Sequence, residues 1–173
     1  MSLLNLLVVG LFPAVVIFAA LRDATTMTIP NWLCGLGAVL FVPAALISGM
    51  NMSTAGIALA VGFASLVAGI GLFAARFVGG GDAKLFAVCG LWLGWPSWIE
   101  FVMWTAVAGG GLAVALLGAR KLAAQWPVRM PDWTSRLLSP GGDIPYGIAI
   151  CVGALCAFPD SPVMPAVRVA SGI

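Results

Sequence analysis

The chain of 173 residues is 62% hydrophobic and only 8% charged, whereas soluble domains carry about 25% charged residues. This composition excludes an ordinary soluble domain and predicts an all-α, polytopic membrane protein with one integral-membrane domain over residues 1–173. The formal net charge of +2 comes without a basic run, so we expect no nucleic-acid partner. The chain has no histidine, which excludes Ser-His-Asp triads and histidine acid–base catalysis.

Apolar segments predict about six transmembrane helices. The first runs from Leu3 to Leu21, and because no positively charged region precedes it, we expect a retained helix rather than a signal peptide. The second begins at Pro30 and Asn31 and ends near Ile47. The remaining segments run from Ser53 or Thr54 to about Ala75, from Ala83 to Trp95, from Ser97 to about Gly118, and from Ile144 to Phe158. The fourth is short for a hydrocarbon core of about 30 Å, so irregular backbone is expected beside it.

Two polar segments complete this organisation. Residues 119–143 are expected to form a cytosolic or interfacial loop, and residues 159–173 a non-cytoplasmic, irregular tail. The basic and aromatic residues of the loop are Arg120, Lys121, Trp126, Arg129, Trp133 and Arg136. Such a mixture is typical of a segment at the membrane interface.

The basic residues predict the orientation. When the ends of the six segments are assigned alternately to two sides, every Lys and Arg except Arg168 falls on one side. The positive-inside rule places that side in the cytoplasm and both termini outside it. Asp23 and Asp82 are then cytoplasmic, whereas Glu100, in the first turn of the fifth helix, lies on the far side and is interpreted as structural.

The glycine, tryptophan and cysteine residues have mainly structural interpretations. The four cysteines lack Cys-x-x-Cys spacing, so we expect small buried side chains and no metal site. The tryptophans expected in an interfacial belt are Trp92, Trp95, Trp98 and Trp104. The glycines expected to allow close helix packing include Gly62, Gly69, Gly71, Gly90 and Gly94.

Two carboxylates, Asp23 and Asp82, are the candidate site. Each is expected at a helix end, the first beside a polar turn and the second after Gly79–Gly81. An acidic residue in a membrane is costly and indicates function. Two neighbouring carboxylates can share a proton, so that one activates water as a base while the other acts as an acid. The alternative is that the glycines form a cytosolic turn and Asp82 only caps the fourth helix.

Three motifs resemble those of type IV prepilin peptidases. The stretch Gly79–Lys84 is similar to the GxGDxK motif of that family. Asp23, six residues before Ile29–Asn31, resembles the family's first catalytic aspartate with its IPN element. Pro145–Gly147 resembles the start of the family's last helix. The resemblance extends over nearly the whole chain.

This resemblance implies an aspartic endopeptidase without a cofactor. Asp23 and Asp82 would be the catalytic pair that cleaves the short basic leader from prepilins at the cytoplasmic face of the bacterial inner membrane. The residues expected to shape the backbone or contact the substrate are Pro30, Asn31, Gly79, Gly81, Lys84, Pro145, Tyr146 and Gly147. The expected partners are the signal anchors of prepilins or pseudopilins, membrane lipid and pilus-assembly machinery.

The connection between the first two helices distinguishes forms of the family. Long members carry a cytosolic region with paired cysteines there, whereas this chain has only the short connection from Asp23 to Pro30. It therefore resembles the short form associated with tight-adherence (Flp) pili, and methyltransferase activity is not predicted. Two alternatives stay open: a small ion- or proton-coupled transporter subunit that uses the same aspartates as an ion site, and a purely structural membrane subunit.

Overall fold

The computed structural model describes residues 3–125, 131–139 and 141–164, and all regular secondary structure in these ranges is helical. The predicted all-α class is confirmed for this part of the chain. The helices are α1 (Leu3–Thr26), α2 (Asn31–Ile47), α3 (Met52–Ala74), α4 (Gly80–Leu93), α5 (Ser97–Gln125), α6 (Asp132–Leu138) and α7 (Tyr146–Ala157), followed by a 3-10 turn at Phe158–Asp160.

The helix surfaces fit an apolar solvent. Met52–Ala74 and Ser97–Ala123 are long and apolar enough to cross a membrane, and two shorter apolar helices cover Asn31–Ile47 and Tyr146–Asp160. Large apolar side chains on outward faces are exposed, among them Val39, Phe63, Val107 and Val114. Apolar surface on this scale marks an interaction with membrane or protein. The predicted count of about six crossings stays a prediction.

The short helix α4 is the centre of the bundle, because α1, α2, α3, α5 and α7 all pack against it. Trp92, near its end, is fully buried: its ring stacks on Phe12 with 5.0 Å between centroids and lies edge-on to Phe41 at 5.8 Å. The indole Nε1 donates to the carbonyl oxygen of Gly37 at 2.8 Å. The predicted interfacial position of Trp92 is therefore wrong, since both its ring and its N–H have partners in the core.

Glycines bring α3 close to α4, as their spacing predicts. A Cβ at Gly62 would lie 3.0 Å from that of Leu91, and one at Gly69 would lie 3.0 Å from that of Ala83. By contrast, a Cβ at Gly71 would have no neighbour within 4 Å from any other described helix, so this glycine brings none of them closer. The α3–α4 contact thus depends on small residues at particular positions, as in other membrane helix pairs.

Several helix boundaries differ from those expected, among them those of α1, α5 and α3. Helix α1 continues past Leu21 to Thr26, where the Thr26 hydroxyl donates to the carbonyl oxygen of Arg22 at 2.7 Å. Helix α5 continues past Gly118 to Gln125 because Ala, Leu, Arg and Lys are strong helix formers. The N-cap of α3 is Asn51, which accepts from the Thr54 amide at 2.8 Å, and not Ser53 or Thr54.

The predicted loop over residues 119–143 is thus partly helical, since it contains the end of α5 and all of α6. Its segment 126–130, with Trp126 and Arg129, lies outside the described residues. The same is true of residues 165–173 of the predicted tail, including Arg168.

Candidate active site

Asp23 lies in the last two turns of α1, inside the helix rather than beyond its end, and is 5% exposed. Its Oδ2 accepts a hydrogen bond from the amide of Gly147, in the first turn of α7, at 2.8 Å. The first amides of a helix lack partners within the helix and favour an anion. A Cβ at Gly147 would lie 2.9 Å from both Oδ2 and Cβ of Asp23, so only glycine fits here without displacing the carboxylate.

Asp82 is the third residue of α4, and its Oδ2 accepts from the amide of Gly79 at 3.2 Å. Gly79 is the N-cap, while Gly80 and Gly81 belong to the first turn, so α4 begins earlier than expected. Asp82 therefore takes part in capping its helix, as one part of the alternative interpretation holds, but Gly80 and Gly81 are helical rather than a turn, and the capping bond occupies only one carboxylate oxygen. Its Oδ1 is buried and has no hydrogen-bond partner among the residues that the structure describes.

The two carboxylates meet in the same space. Asp23 and Asp82 both line a cavity of about 360 Å³, together with Met27, Arg76 and Tyr146. They also share a smaller cavity of about 210 Å³, which Ile29 and Gly79–Gly81 enclose. The structure thus brings together the residues that were predicted to form one site. Their catalytic role stays a prediction.

Two walls of the larger cavity, Met27 and Arg76, come from residues that directly follow helices. Met27 follows α1 with φ 53°, and Arg76 follows α3 with φ 61°. This left-handed conformation commonly ends a helix, although glycine usually adopts it. It turns the chain directly after the helix, and both residues therefore remain beside the aspartates.

Pro30, Asn31 and Lys84 take a different position, because none of them lines the two cavities that hold both carboxylates. Pro30 is the N-cap of α2, and Lys84 Nζ donates to Asn31 Oδ1 at 2.7 Å. They join α2 to α4. A Cβ at Gly81 would lie 2.9 Å from Ile29 Cβ and 3.1 Å from its carbonyl oxygen, so this glycine permits the same close approach.

The segment before α7 also differs from the expected arrangement. The position of Asp143 just before Pro145 favours a capping role for its side chain, but Pro145 is the N-cap of α7, and the first-turn amide of Gly147 donates to Asp23 rather than to Asp143. Asp143 lines the larger cavity instead. Its carbonyl oxygen accepts from Arg120 Nη2 at 2.9 Å, and Arg120 Nε donates to the carbonyl oxygen of Leu137 at 2.9 Å. Arg120 therefore connects α5 to α6 and to the segment that carries Asp143.

Within the described ranges, no group of three Cys, Asp or Glu residues lies close enough together to hold a metal ion. The sequence profile of the type IV leader peptidase family matches residues 10–114, more than half of the chain, and this region includes both aspartates. The chain belongs to the type IV leader peptidase family. No curated protein and no solved structure shows significant similarity to it.

Family membership identifies a leader-peptidase-type protease, and the apolar helices α3 and α5 agree with a membrane protein. The matched region ends within α5, before Pro145–Gly147. The position of that element at the site therefore rests on the structure, through the contact of Gly147 with Asp23.

Proposed function

We propose that this member of the family is an intramembrane aspartic endopeptidase that removes the basic leader from prepilins of the Flp type. One observation carries the proposal: the carboxylates of Asp23 and Asp82, from two different helices, line one cavity. Each has one oxygen held by a backbone amide, from Gly147 and Gly79 respectively. The remaining oxygens are available for chemistry.

The proposed reaction needs only water and the two carboxylates. One carboxylate is ionised and takes a proton from water, and the water oxygen attacks the carbonyl carbon of the leader junction. The other, protonated, gives its proton to the carbonyl oxygen, which forms a tetrahedral diol. The first carboxylate, now protonated, then gives its proton to the peptide nitrogen while the second takes one from a diol hydroxyl, so that the C–N bond breaks, a carboxylic acid and an amine leave, and both aspartates return to their starting states. No covalent bond between enzyme and substrate forms.

The fixed oxygens support this use of the pair. The amides of Gly147 and Gly79 restrict the rotation of the Asp23 and Asp82 side chains, so each Oδ1 is held in place before the substrate arrives. Oδ1 of Asp82 is buried and has no hydrogen-bond partner within the described ranges, and such an atom is stabilised by a bound water or a substrate group. A water between the two carboxylates would satisfy this atom and serve as the nucleophile.

The charge distribution supports a cytoplasmic site. Basic residues of the described ranges lie at the end of the bundle that holds the aspartates: Arg22, Arg76, Lys84, Arg120, Lys121 and Arg136. In the proposed orientation this end faces the cytoplasm at the bacterial inner membrane, and both termini lie on the other side. The basic leader would then meet the site from the cytoplasm. The short connection between α1 and α2 supports a Flp-type prepilin as the substrate.

Co-expression with an epitope-tagged Flp-type prepilin tests the proposal, with leader removal followed by immunoblot. We expect Asp23→Asn and Asp82→Asn each to abolish processing, because acid–base assistance by one group contributes about 10²–10⁴-fold. Asp132→Asn is the matched control: this aspartate is exposed on α6, away from both cavities, and its variant is expected to process normally.

All variants are compared at equal protein levels in the membrane fraction. Normal processing by either Asp23→Asn or Asp82→Asn would contradict the catalytic pair. The same two aspartates would then be examined as the ion site of a transporter subunit, by proton uptake into proteoliposomes.

A further inference from the structure

One side of the bundle is open between α3 and α5. Helix α3 packs against α4, and α5 packs against α7, but over the described residues the two outer helices do not pack along each other. A groove of about 410 Å³ lies between them. Its apolar lining includes Leu72, Phe86, Val102, Ala106 and Ile150. The groove therefore faces the surroundings of the bundle with apolar walls.

The groove leads to the aspartates. Val78, Asp82 and Tyr146 line both this groove and the cavity that contains Asp23. An apolar passage from the side of the bundle is thus continuous with the candidate catalytic carboxylates. Asp82, the acidic residue at this junction, carries the buried Oδ1 that has no hydrogen-bond partner in the part of the chain that the structure describes.

A second groove, of about 590 Å³, lies between α2 and α3. It is also open and apolar, with Leu59, Phe63 and Leu91 in its lining. At its polar end are Asn31 and Lys84, not the aspartates. A polypeptide in this groove would have no access to Asp23 or Asp82, so the two grooves differ in the property that matters for cleavage.

We propose that the α3–α5 groove receives the apolar helix of the substrate's signal anchor and holds its leader junction at Asp82. The inference rests on the proposed function, because it assigns the route by which that substrate reaches the site. A signal anchor of about 20 apolar residues stays in the hydrocarbon core, so it must approach from the side. The route therefore has to be apolar, open sideways and continuous with the carboxylates, and this groove has all three properties.

The wall formed by α5 permits close approach. Gly110 lines the groove, and outside its own helix no atom of the described residues lies within 4 Å of the position its Cβ would take. Ala106 and Ala113, on the same face, are also small. Helices in membranes associate through such small residues because backbones can approach closely. One face of the substrate helix would lie on this wall, and its other face would remain in lipid.

A pair of matched glycine variants tests the groove. Gly110→Trp fills the α3–α5 groove, and Gly35→Trp fills the α2–α3 groove; both glycines have open space at the Cβ position. Cleavage is measured on an anchored Flp-type prepilin and on a short soluble peptide that spans only the leader junction. We expect Gly110→Trp to slow cleavage of the anchored substrate by more than about tenfold, with the peptide unaffected, because only the anchored substrate needs the groove. Gly35→Trp is expected to cleave both normally.

The proposal is overturned if Gly110→Trp cleaves the anchored prepilin at the wild-type rate, or if the cleavage rates of the anchored prepilin and the soluble peptide fall equally. The second result would indicate a damaged site or fold rather than a blocked route.

Photo-crosslinking decides the occupant without requiring cleavage. Benzoylphenylalanine is introduced at Ala106, or at Gly35 as the control, in the Asp82→Asn background with the same tagged prepilin. We expect a crosslink to the prepilin from Ala106 and none from Gly35. A crosslink from Ala106 only to lipid or to a second copy of this chain, or an equal prepilin crosslink from Gly35, would overturn the proposal. A prepilin crosslink at Ala106 with a wild-type protein that cleaves nothing would instead contradict the proposed function and leave the groove assignment intact.

Discussion

The two ends of α4 are built in opposite ways. At its C-terminal end, Trp92 is in contact with Phe12 and Phe41, and neither Trp92 nor Leu93 is exposed. At its N-terminal end, the helix begins with glycines and an aspartate beside cavities, and Asp82 has a buried oxygen without a partner among the described residues. One short helix thus joins a close-packed core to an open polar site.

This difference indicates how the molecule can keep two carboxylates next to each other. Placing Asp23 and Asp82 near one another in an apolar bundle is unfavourable, and cavities contribute little packing energy. The aromatic contacts at the far end of α4 supply packing that does not depend on the site. Substitutions at the two ends are therefore expected to separate stability from activity.

Truncation of Trp92 is expected to have the largest effect on stability. Trp92→Ala removes the ring contacts and the hydrogen bond to Gly37, and the loss should be about 3–5 kcal/mol in the free energy of unfolding. Reversible unfolding in detergent micelles measures this loss. Trp104→Ala, at a side chain that is 44% exposed, is the control, and we expect a change within about 0.5 kcal/mol. Equal losses for the two variants would mean that the core is not centred on Trp92.

Gly147→Ala is expected to reduce cleavage activity, because Gly147 lies at the candidate site, at the opposite end of the bundle from Trp92. The added Cβ would lie 2.9 Å from Oδ2 of Asp23 and must displace the carboxylate. A misplacement of about 1 Å can reduce a rate by about 10²-fold, and we expect a loss of that order in prepilin cleavage, with the unfolding free energy changed much less than by Trp92→Ala. Gly111→Ala is expected to cleave normally, because outside its own helix no described atom lies within 4 Å of the new Cβ. Wild-type cleavage by Gly147→Ala would show that the contact with Asp23 is dispensable.

Gly81→Ala is expected to have a smaller effect on cleavage. The new Cβ would meet Ile29 Cβ at 2.9 Å and the Ile29 carbonyl oxygen at 3.1 Å, which pushes the first turn of α4 away from the segment before α2. We expect a loss of about tenfold in cleavage rate, less than for Gly147→Ala because the carboxylate itself is not contacted. Gly80→Ala provides the comparison, since the nearest atoms to its Cβ would be those of the Phe73 ring, at 3.4 Å and beyond. A larger loss in Gly80→Ala would contradict this account.

The hydrogen bond between Lys84 and Asn31 is expected to matter least. Both residues are exposed, and their hydrogen bond of 2.7 Å joins α2 to α4 outside the two cavities that contain Asp23 and Asp82. A double-mutant cycle with Lys84→Met and Asn31→Leu measures their coupling in the free energy of unfolding. We expect at most about 1 kcal/mol, the range of exposed polar pairs. A cleavage loss as large as that of Gly147→Ala would instead assign Lys84 a part in the reaction.

The sequence predicted the two aspartates and their shared side because those inferences depend on local patterns. Apolar segment lengths and basic residues predict that Asp23 and Asp82 lie at helix ends on the same side of the membrane. The contact of Asp23 with Gly147 joins residues that are far apart in the chain, and no spacing rule indicates it. Only the resemblance to the family's last helix indicated Gly147, and it did not indicate which residue Gly147 contacts.

The wrong predictions also have physical causes. Tryptophan is a residue type expected at a membrane interface. In the core, however, the indole N–H of Trp92 has a hydrogen-bond partner, the carbonyl oxygen of Gly37. The polar residues after Leu21 and Gly118 suggested helix ends, yet the chain remains helical to Thr26 and Gln125. Polar residues do not end a helix unless they also remove its hydrogen bonds or restrict its backbone.

The most direct test of the central claim is whether Asp23 and Asp82 act as one unit. Cleavage rates of a Flp-type prepilin are measured for the purified wild-type protein, Asp23→Asn, Asp82→Asn and the double variant, all reconstituted in liposomes. We predict that each single variant loses about 10³-fold or more, and that the double variant is no slower than the singles, because groups that act together are not additive. A single variant that keeps about a tenth of the activity, or a double variant slower by the product of the single effects, would contradict a shared catalytic role.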